Sequence, residues 1–436
     1  MSDTKIQIKG MITTEKKLTS SDLMQLEDKH GAHNYHPLPV VLAKGEGVYV
    51  WDVEGKQYFD FLSAYSAVNQ GHCHPKIIGA MMDQAQTLTL TSRAFYNDTL
   101  GVYEKYVTEY FGFDKVLPMN TGAEAVETAI KLCRKWAYEK KGINENDAKI
   151  IVCDGNFHGR TTTIISFSND PDANKNFGPF TPGFIRIPYD DIDALELALQ
   201  SENVAGFLVE PIQGEAGVYV PATDFLANAR GLCSKYNALF IADEVQTGIA
   251  RTGSLLAVCG NCTCEKKCEK QATYAQPDIL ILGKALSGGV YPVSAVLAND
   301  EVMMVIKPGQ HGSTFGGNPI AARVAVAALD VVSDEQLALN ARRLGDLFRS
   351  EMEKIIASNE LILKVRGKGL LNAIIVNDTP DSQTAWNLCV ALKDNGLLAK
   401  PTHGNIIRFA PPLVITESQL MECVAIIKKT IENFKK

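Results

Sequence analysis

Short apolar runs alternate with helical patterns over about residues 116–298, and this alternation dominates the middle of the chain. The runs read AKIIVCD, AGFLVEP, ALFIADE, DILILGK and PVSAVLA. Each is short and lacks a polar face, which is typical of a strand buried on both sides. Strands that alternate with helices predict an α/β fold with a mostly parallel central sheet and helices on both faces.

The flanking regions predict smaller units. Residues 47–63, GVYVWDVEGKQYFDFLS, alternate around Glu54 and Gly55 and predict a hairpin. After about residue 330, a helical stretch precedes the strand-like runs GLLNAIIV and NIIRFAPPLVI, and an amphipathic helix starts near Glu417. A chain of 436 residues exceeds the size at which one core stops growing. We therefore expect an N-terminal segment, 1–75, that packs with a small α+β domain, 331–436, and a large α/β domain, 76–330.

Composition narrows the functional class. The formal net charge of -7 argues against a nucleic-acid binder, and no apolar run is long enough to span a membrane. The N-terminus lacks the apolar region of a secretion signal, and its acidic residues fit a transit sequence poorly. Ten cysteines in a chain of this length indicate reduced thiols more than a disulfide scaffold. We expect small-molecule chemistry in the cytoplasm, with the mitochondrial matrix as the alternative.

Candidate reactive groups lie where strands end, because ligands bind at the carboxyl ends of strands in such sheets. Lys284 ends the run DILILGK, and Asp243 lies at the end of ALFIADE. A carboxylate at that place is costly to desolvate unless a cation or a donor meets it. Each residue also has an ordinary explanation: a lysine that snorkels from the rim of the sheet, and an aspartate that caps a helix or forms a salt bridge.

A helix start supplies a third group. Thr121 and Glu124 form a capping-box pattern, and Gly122 and Ala123 between them leave backbone N–H groups sterically uncovered. Such a terminus favours phosphate, although a well-capped helix alone explains the same pattern. Taken together, an amine, a carboxylate and a phosphate cradle are what pyridoxal phosphate requires for its aldehyde, its ring nitrogen and its phosphate. The combination predicts a pyridoxal-phosphate enzyme.

From about Gly31 to the C-terminus, the chain resembles the class III aminotransferases, and within them those that act on ornithine. The motifs that carry the resemblance are GAHNYHPLPV, SAYSAVNQGHCHP, MNTGAEAVETA, GNFHGRT, EPIQGEAGV, ADEVQTGIARTG, LGKALSGGVYPVSA, HGSTFGGNP, RGKGLL and LAKPTHGNIIRFAPPL. The resemblance implies a fold-type I PLP-dependent transferase that moves the δ-amino group of L-ornithine to 2-oxoglutarate by a ping-pong mechanism. The products would be glutamate and glutamate 5-semialdehyde. Acetylornithine or 4-aminobutyrate as the donor remains an alternative, and a non-catalytic binding protein is a further one.

The resemblance also implies roles around the cofactor. Lys284 would be the Schiff-base lysine and would carry the proton, and Asp243 would pair with the pyridine nitrogen. Gln246 would bind the phenolic oxygen, and Phe157 would stack on the ring, although an ordinary core aromatic fits Phe157 as well.

The phosphate would be held by residues from two chains. Gly122 and Ala123 would donate from one subunit, while Ser313 and Thr314 lie in HGSTFGGNP, with Thr314 contributed by the neighbouring subunit. A homodimer with its active sites at the subunit interface follows. Without the resemblance, Ser313 and Thr314 fit turn positions equally well.

Substrate recognition is implied for five further residues. Arg408 would bind a carboxylate of glutamate or 2-oxoglutarate, and Glu215 would neutralise it when the basic substrate is present. Arg160 and Tyr35 would hold the ornithine α-carboxylate, and Tyr65 would favour ornithine over the two alternative donors. The ordinary explanations are a surface salt bridge for Arg408, a loop acid for Glu215 and packing for the tyrosines.

One segment departs from the resemblance. CGNCTCEKKCEKQATY carries Cys259, Cys262, Cys264 and Cys268 and is longer than the connection we expect there. Three interpretations stay open: a reduced surface loop, a redox-sensitive disulfide with a thiol-redox partner, or a metal site. None of them contributes to amino transfer.

Overall fold

The computed structural model describes residues 18–259 and 275–435. Its helices are α1 (Ser20–His30), α2 (Ser63–Ser66), α3 (Pro75–Ala85), α4 (Leu100–Phe111), α5 (Gly122–Trp136), α6 (Thr162–Ile165), α7 (Pro171–Asn174), α8 (Ile192–Leu199), α9 (Phe225–Lys235), α10 (Asp300–Met303), α11 (Pro319–Asp334), α12 (Leu337–Ala357), α13 (Thr384–Asp394) and α14 (Glu417–Asn433). A π-helical turn, Ala137–Lys141, continues α5, and 3₁₀ turns cover Ala257–Cys259 and Lys284–Ser287.

A seven-stranded sheet forms the centre of the fold. Its strands are β4 (Lys115–Met119), β5 (Lys149–Cys153), β6 (Phe184–Ile187), β7 (Val204–Val209), β8 (Leu239–Asp243), β9 (Ile279–Leu282) and β10 (Ser294–Ala298), in the order β4-β10-β9-β8-β7-β5-β6. Only β10 runs against its two neighbours, while β9, β8, β7, β5 and β6 pair in parallel. Every residue of β7, β8 and β9 is buried. The predicted α/β fold with a mostly parallel sheet is confirmed.

Two four-stranded sheets accompany the central one. The first has the order β1-β2-β3-β13, with β1 (Leu42–Glu46), β2 (Tyr49–Asp52), β3 (Gln57–Asp60) and β13 (Leu397–Leu398). Strands β2 and β3 form an antiparallel hairpin at the predicted place, and β13 adds a strand from the C-terminal part of the chain. The second has the order β11-β12-β15-β14, with β11 (Ile362–Lys368), β12 (Leu371–Val376), β14 (Lys400–Pro401) and β15 (Ile406–Phe409).

The predicted C-terminal helices are present. The helical stretch predicted after about residue 330 is α12, which begins at Leu337, just after α11 ends at Asp334. Gln336 between them has a left-handed backbone with φ of 52°. Helix α14 begins at Glu417 as predicted, and Thr416 closes a capping box with Gln419.

A buried arginine joins segments that are distant in sequence. The Arg251 guanidinium donates to Asn69 Oδ1 and to the carbonyl oxygens of Leu370 and Pro411, at 2.5–3.0 Å. Burial lowers the pKa of Arg251 to about 9, while the charge of Asp60 opposes this effect. Because a buried donor without its acceptors is costly, Arg251 fixes the N-terminal and C-terminal segments against the central sheet.

Candidate active site at the carboxyl edge of the central sheet

Lys284 begins the 3₁₀ turn that follows β9, with a left-handed φ of 46°. A non-glycine residue in that region is unusual and costs free energy, so the surrounding contacts must hold it there. The side-chain amide of Gln70 does so in part, because it donates to the carbonyl oxygens of Ala285 and Ala328. Burial is the main cause that lowers the pKa of Lys284, and the carboxylate of Asp243 opposes it. A lowered pKa gives a larger fraction of neutral, nucleophilic amine.

Asp243 lies at the end of β8 and is 5% exposed. His158 Nδ1 donates to its Oδ2 at 2.6 Å, and the Val245 N–H donates to its Oδ1 at 3.0 Å. Burial would lower the pKa of His158, but the hydrogen bond and charge of Asp243 outweigh it, and the net shift is upward. The Nε2 atom of His158 is buried and has no partner among the described residues. Asp243 therefore meets a histidine N–H donor on one side.

Glu210, which directly follows β7, brings a second buried carboxylate to this edge. Its Oε1 accepts the Phe157 N–H at 2.8 Å, which fixes the backbone of the predicted stacking residue. Burial is the largest cause that raises the pKa of Glu210, to about 7, and the charge of His158 opposes it. Sequence reasoning missed both His158 and Glu210. The signal for Glu210 was present, because it follows an apolar strand as directly as Asp243 ends one.

The N-terminus of α5 opens onto the same cavity. Thr121 Oγ1 accepts the Glu124 N–H at 3.2 Å and the Glu124 carboxylate accepts the Thr121 N–H at 2.9 Å, so the predicted capping box is present. The cap leaves the N–H groups of Gly122 and Ala123 for a ligand, because it engages neither of them. A side chain at position 122 would place its Cβ 3.0 Å from Val245 Cγ1, so the glycine permits the close approach.

These groups surround a cavity of about 200 Å³. Its lining is Gly122, Ala123, Phe157, His158, Gly159, Glu210, Asp243, Val245, Gln246, Thr247 and Lys284. The set offers an amine, a carboxylate, an amide, an aromatic ring and free helix N–H groups. These are the functional groups that an aldehyde, a basic ring nitrogen, a phenolic oxygen, a planar ring and a phosphate need, so the residues fit pyridoxal phosphate.

Arg408 and Glu215 form an ion pair beside this cavity. Arg408 Nη1 lies 3.1 Å from Glu215 Oε2 and also donates to the Gly214 carbonyl oxygen at 3.1 Å. The arginine is 2% exposed, and its Nε atom has no partner among the described residues. The Tyr65 ring lies under the guanidinium, 5.1 Å from ring centroid to Cζ. A carboxylate, a guanidinium and an aromatic ring therefore meet at this place.

Tyr65 lies in the short element α2, Ser63–Ser66, whose backbone is a left-handed turn and not a right-handed helix. Ser63, Ala64, Tyr65 and Ser66 all have positive φ values, between 46° and 71°, although none of them is glycine. The carboxylate of Asp60 accepts the Ser63 N–H, and Gln246 Nε2 donates to the Tyr65 carbonyl oxygen at 3.3 Å. Burial is the main cause that raises the pKa of Tyr65. This turn, which no sequence signal indicated, determines where the phenol lies.

The remaining predicted site residues do not line the cavity that contains Lys284. The Arg160 guanidinium is 5.6 Å from the centroid of the Phe157 ring, and Tyr35 is 70% exposed. Ser313 Oγ accepts from Asn120 Nδ2 at 2.8 Å, whereas Thr314 is exposed. Neither Ser313 nor Thr314 lines the cavity within this chain.

A second cavity of about 710 Å³ adjoins the first and shares Phe157, His158 and Gly159 with it. Glu215, Tyr219 and His403 line its far side. The two cavities are therefore neighbours along this wall. Among the described residues, no helix combines the length and apolar character needed to cross a membrane.

Comparisons with known proteins agree with this geometry. The family described as Aminotransferase class-III matches residues 30–431. A Drosophila melanogaster protein named ornithine aminotransferase, mitochondrial, is 63% identical over 405 residues, which cover 93% of this chain and 90% of that one.

Two solved structures are also similar. An acetylornithine aminotransferase from Elizabethkingia anophelis is 66% identical with a TM-score of 0.85, over 95% of this chain and 99% of that chain. The ornithine aminotransferase from Toxoplasma gondii is 49% identical with a TM-score of 0.91, over 96% of this chain and 95% of that chain. The Toxoplasma structure shows partial occupancy of PLP at its active site.

Proposed function

The chain belongs to the class-III aminotransferases, and we propose that it transfers the δ-amino group of L-ornithine to 2-oxoglutarate. The products are glutamate and glutamate 5-semialdehyde, and the mechanism is ping-pong. The observation that carries the proposal is the ion pair between the buried Arg408 and the partly buried Glu215, beside the lysine cavity. One site must accept first a cationic donor and then a dicarboxylate, and a cation whose charge can be covered or exposed meets both demands.

The cofactor of this family, pyridoxal phosphate, supplies an aldehyde for the amino group and a ring that accepts electrons. Gly122 and Ala123 would hold its phosphate through the N–H groups of α5, and Asp243 would keep the ring nitrogen protonated. Lys284 would provide the amine, and in its neutral form it would take the proton from the carbon that bears the departing amino group. Phe157 and Gln246 would orient the ring.

The substrate residues act by charge. Arg160 and Tyr35 hold the α-carboxylate of ornithine, so the distal δ-amino group points to the cofactor. Glu215 covers Arg408 during this half of the reaction, which keeps the guanidinium from repelling the cationic donor. In the other half, Arg408 binds a carboxylate of 2-oxoglutarate through a planar, bidentate geometry.

Acetylornithine is a second candidate donor, because the 66% identical Elizabethkingia protein is an acetylornithine aminotransferase. The two donors differ at the α-nitrogen, which is a cation in ornithine and a neutral amide in acetylornithine. The two proposals are separated by a half-reaction with each donor alone. The rate at which the visible absorbance of the cofactor-loaded protein falls is the measured quantity. Faster loss with ornithine supports the first, and faster loss with acetylornithine supports the second.

Tyr65→Ala is expected to weaken the preference for ornithine over 4-aminobutyrate by about tenfold. A factor of this size is close to the free energy that one aromatic ring contributes when it contacts a desolvated cation. The ring that packs under Arg408 is lost, and the space is left to donors that lack the α-amino group. The ratio of kcat/KM values for the two donors measures the effect. Tyr65→Phe, which keeps the ring, is the control, and an unchanged ratio in Tyr65→Ala removes the assignment.

The proposed assembly is a homodimer in which Thr314 of the partner subunit completes the phosphate site. Thr314 is exposed in the single chain, and so are the large apolar side chains of Phe95, Tyr96 and Phe315. Exposed aromatic side chains of this size are typical of a surface that another protein covers. Light scattering of the purified protein tests the assembly, and a monomer that turns over would contradict it.

Three further expectations remain proposals. The division into 1–75, 76–330 and 331–436 is supported by the separate sheets. The cytoplasmic location competes with the mitochondrial matrix, because the Drosophila relative is named mitochondrial. Cys262, Cys264 and Cys268 lie outside the described residues and Cys259 is buried, so thiol regulation rests on the sequence alone. Thiol titration with and without reductant, with activity as the readout, tests it.

A further inference from the structure

The proposed function leaves the Glu215 carboxylate without a partner in one half of the reaction. Arg408 must release Glu215 before it can bind a dicarboxylate. A carboxylate that loses its cation at a partly buried place pays a desolvation cost, which lowers the population of the released arrangement. A second cation within reach of Glu215 would stabilise that arrangement and so strengthen dicarboxylate binding.

The short strand β14 places a lysine beside this ion pair. Strands β14 and β15 pair antiparallel, with Lys400 directly opposite Arg408. Residues that stand opposite each other in an antiparallel pair project from the same face of the sheet. The next residues of the segment reach Glu215 itself, because Thr402 Oγ1 donates to the Glu215 carbonyl oxygen at 2.5 Å.

Lys400 is near Glu215 but is not bonded to it. Glu215 forms an ion pair within 4.0 Å with Arg408, and among the described residues none forms such a pair with Lys400. The lysine is half-buried, as are both residues of β14. Burial is the main cause that lowers the pKa of Lys400, while the charge of Glu215 raises it, so the two groups interact electrostatically across the gap.

We propose that Lys400 is a specificity-determining residue, which receives the Glu215 carboxylate when a dicarboxylate substrate occupies Arg408. In the donor half of the reaction Glu215 pairs with Arg408, and Lys400 is unengaged. In the acceptor half Glu215 turns from Arg408 to Lys400, so its charge stays compensated. The proposal rests on the proposed function, since it needs a site that alternates between a cation and a dicarboxylate.

Lys400→Met tests it, because methionine keeps the apolar stem and removes the charge. The 2-oxoglutarate concentration that gives half the maximal rate of the second half-reaction should rise about tenfold, whereas the value for ornithine should change less than about twofold. The dissociation constant of glutarate, a dicarboxylate that cannot react, should rise by a similar factor in calorimetry. Lys400→Arg should restore the half-maximal concentration of 2-oxoglutarate and the dissociation constant of glutarate.

Lys364→Met is the matched control, because Lys364 is an exposed lysine on β11, at the other edge of the same sheet. Lys364→Met should leave the half-maximal concentrations of 2-oxoglutarate and ornithine and the dissociation constant of glutarate unchanged. Equal changes for ornithine and 2-oxoglutarate in Lys400→Met, or no change, would overturn the role of Lys400. If Lys400→Met does not fold, Lys400→Gln takes its place with the same expectations. A wild-type protein that does not react with ornithine would instead contradict the proposed function and leave the glutarate comparison valid.

Discussion

Lys284→Ala should abolish nearly all turnover, with a loss of roughly 10⁴-fold or more, because it removes both the amine that holds the cofactor and the proton carrier. The visible absorbance of the cofactor-loaded protein should change as well, since the amine that perturbs the aldehyde is absent. Initial rates with ornithine and 2-oxoglutarate, together with the spectrum, measure the two effects. The protein should still fold, because the substitution removes a side chain that lines a cavity and not one that fills the core.

Lys368→Ala is the matched control for that substitution. Burial also lowers the pKa of Lys368, but this side chain lines a different cavity, next to Pro211 and Leu226. Its loss should leave turnover and spectrum close to those of the wild-type protein. A Lys284→Ala protein that retains turnover, or a Lys368→Ala protein that loses it, would mean that the reactive amine has been assigned to the wrong lysine.

Local sequence pattern was enough to predict the α/β fold and to select Lys284, Asp243 and the start of α5 as candidate site residues. Lys284 and Asp243 were found because an apolar strand that ends in a charged residue is anomalous in itself. Gly122 and Ala123 were found because a capping box involves residues only three positions apart. In each case the chemical signal and the structural signal lie within one short segment, so no knowledge of distant contacts was needed.

Contacts between distant segments could not be predicted in the same way. His158 and Asp243 are 85 positions apart, and the hydrogen bond between them exists because β5 and β8 belong to one sheet. The left-handed turn at Ser63–Ser66 contains no glycine, so its sequence gives no sign of positive φ values. Hydrogen bonds from Asp60 and Gln246 hold it, and these too come from other segments.

The position of Lys400 next to Arg408 could not be predicted from the sequence either. In sequence it lies eight residues before Arg408, in a segment whose pattern gives no chemical signal for the lysine. Only the register of β14 against β15 places the two side chains on one face. A two-residue strand is too short for any periodicity, so the pairing had to come from the structure.

Asp243→Ala should lower kcat by roughly 10³-fold, because the ring nitrogen loses the carboxylate that keeps it protonated, and electrostatic groups of this kind contribute about that factor. The loss of stability should depend on pH. Asp243 raises the pKa of His158 in the folded state, so the pair stabilises the protein fully below the unfolded histidine value of about 6.5. That contribution is lost as the pH rises through the raised value.

Urea unfolding of cofactor-free protein at pH ~5.5 and pH ~8.5 measures this dependence, and the gap between wild-type and Asp243→Ala should be larger at the lower pH. Asp243→Asn is the control, because the amide oxygen can still accept from His158 without its charge. It should fold with a smaller loss of stability, yet it should lose kcat nearly as far as Asp243→Ala, since a neutral amide cannot hold a protonated ring nitrogen. An Asp243→Asn enzyme with wild-type kcat would mean that the charge of Asp243 stabilises the folded protein and is not needed for the reaction.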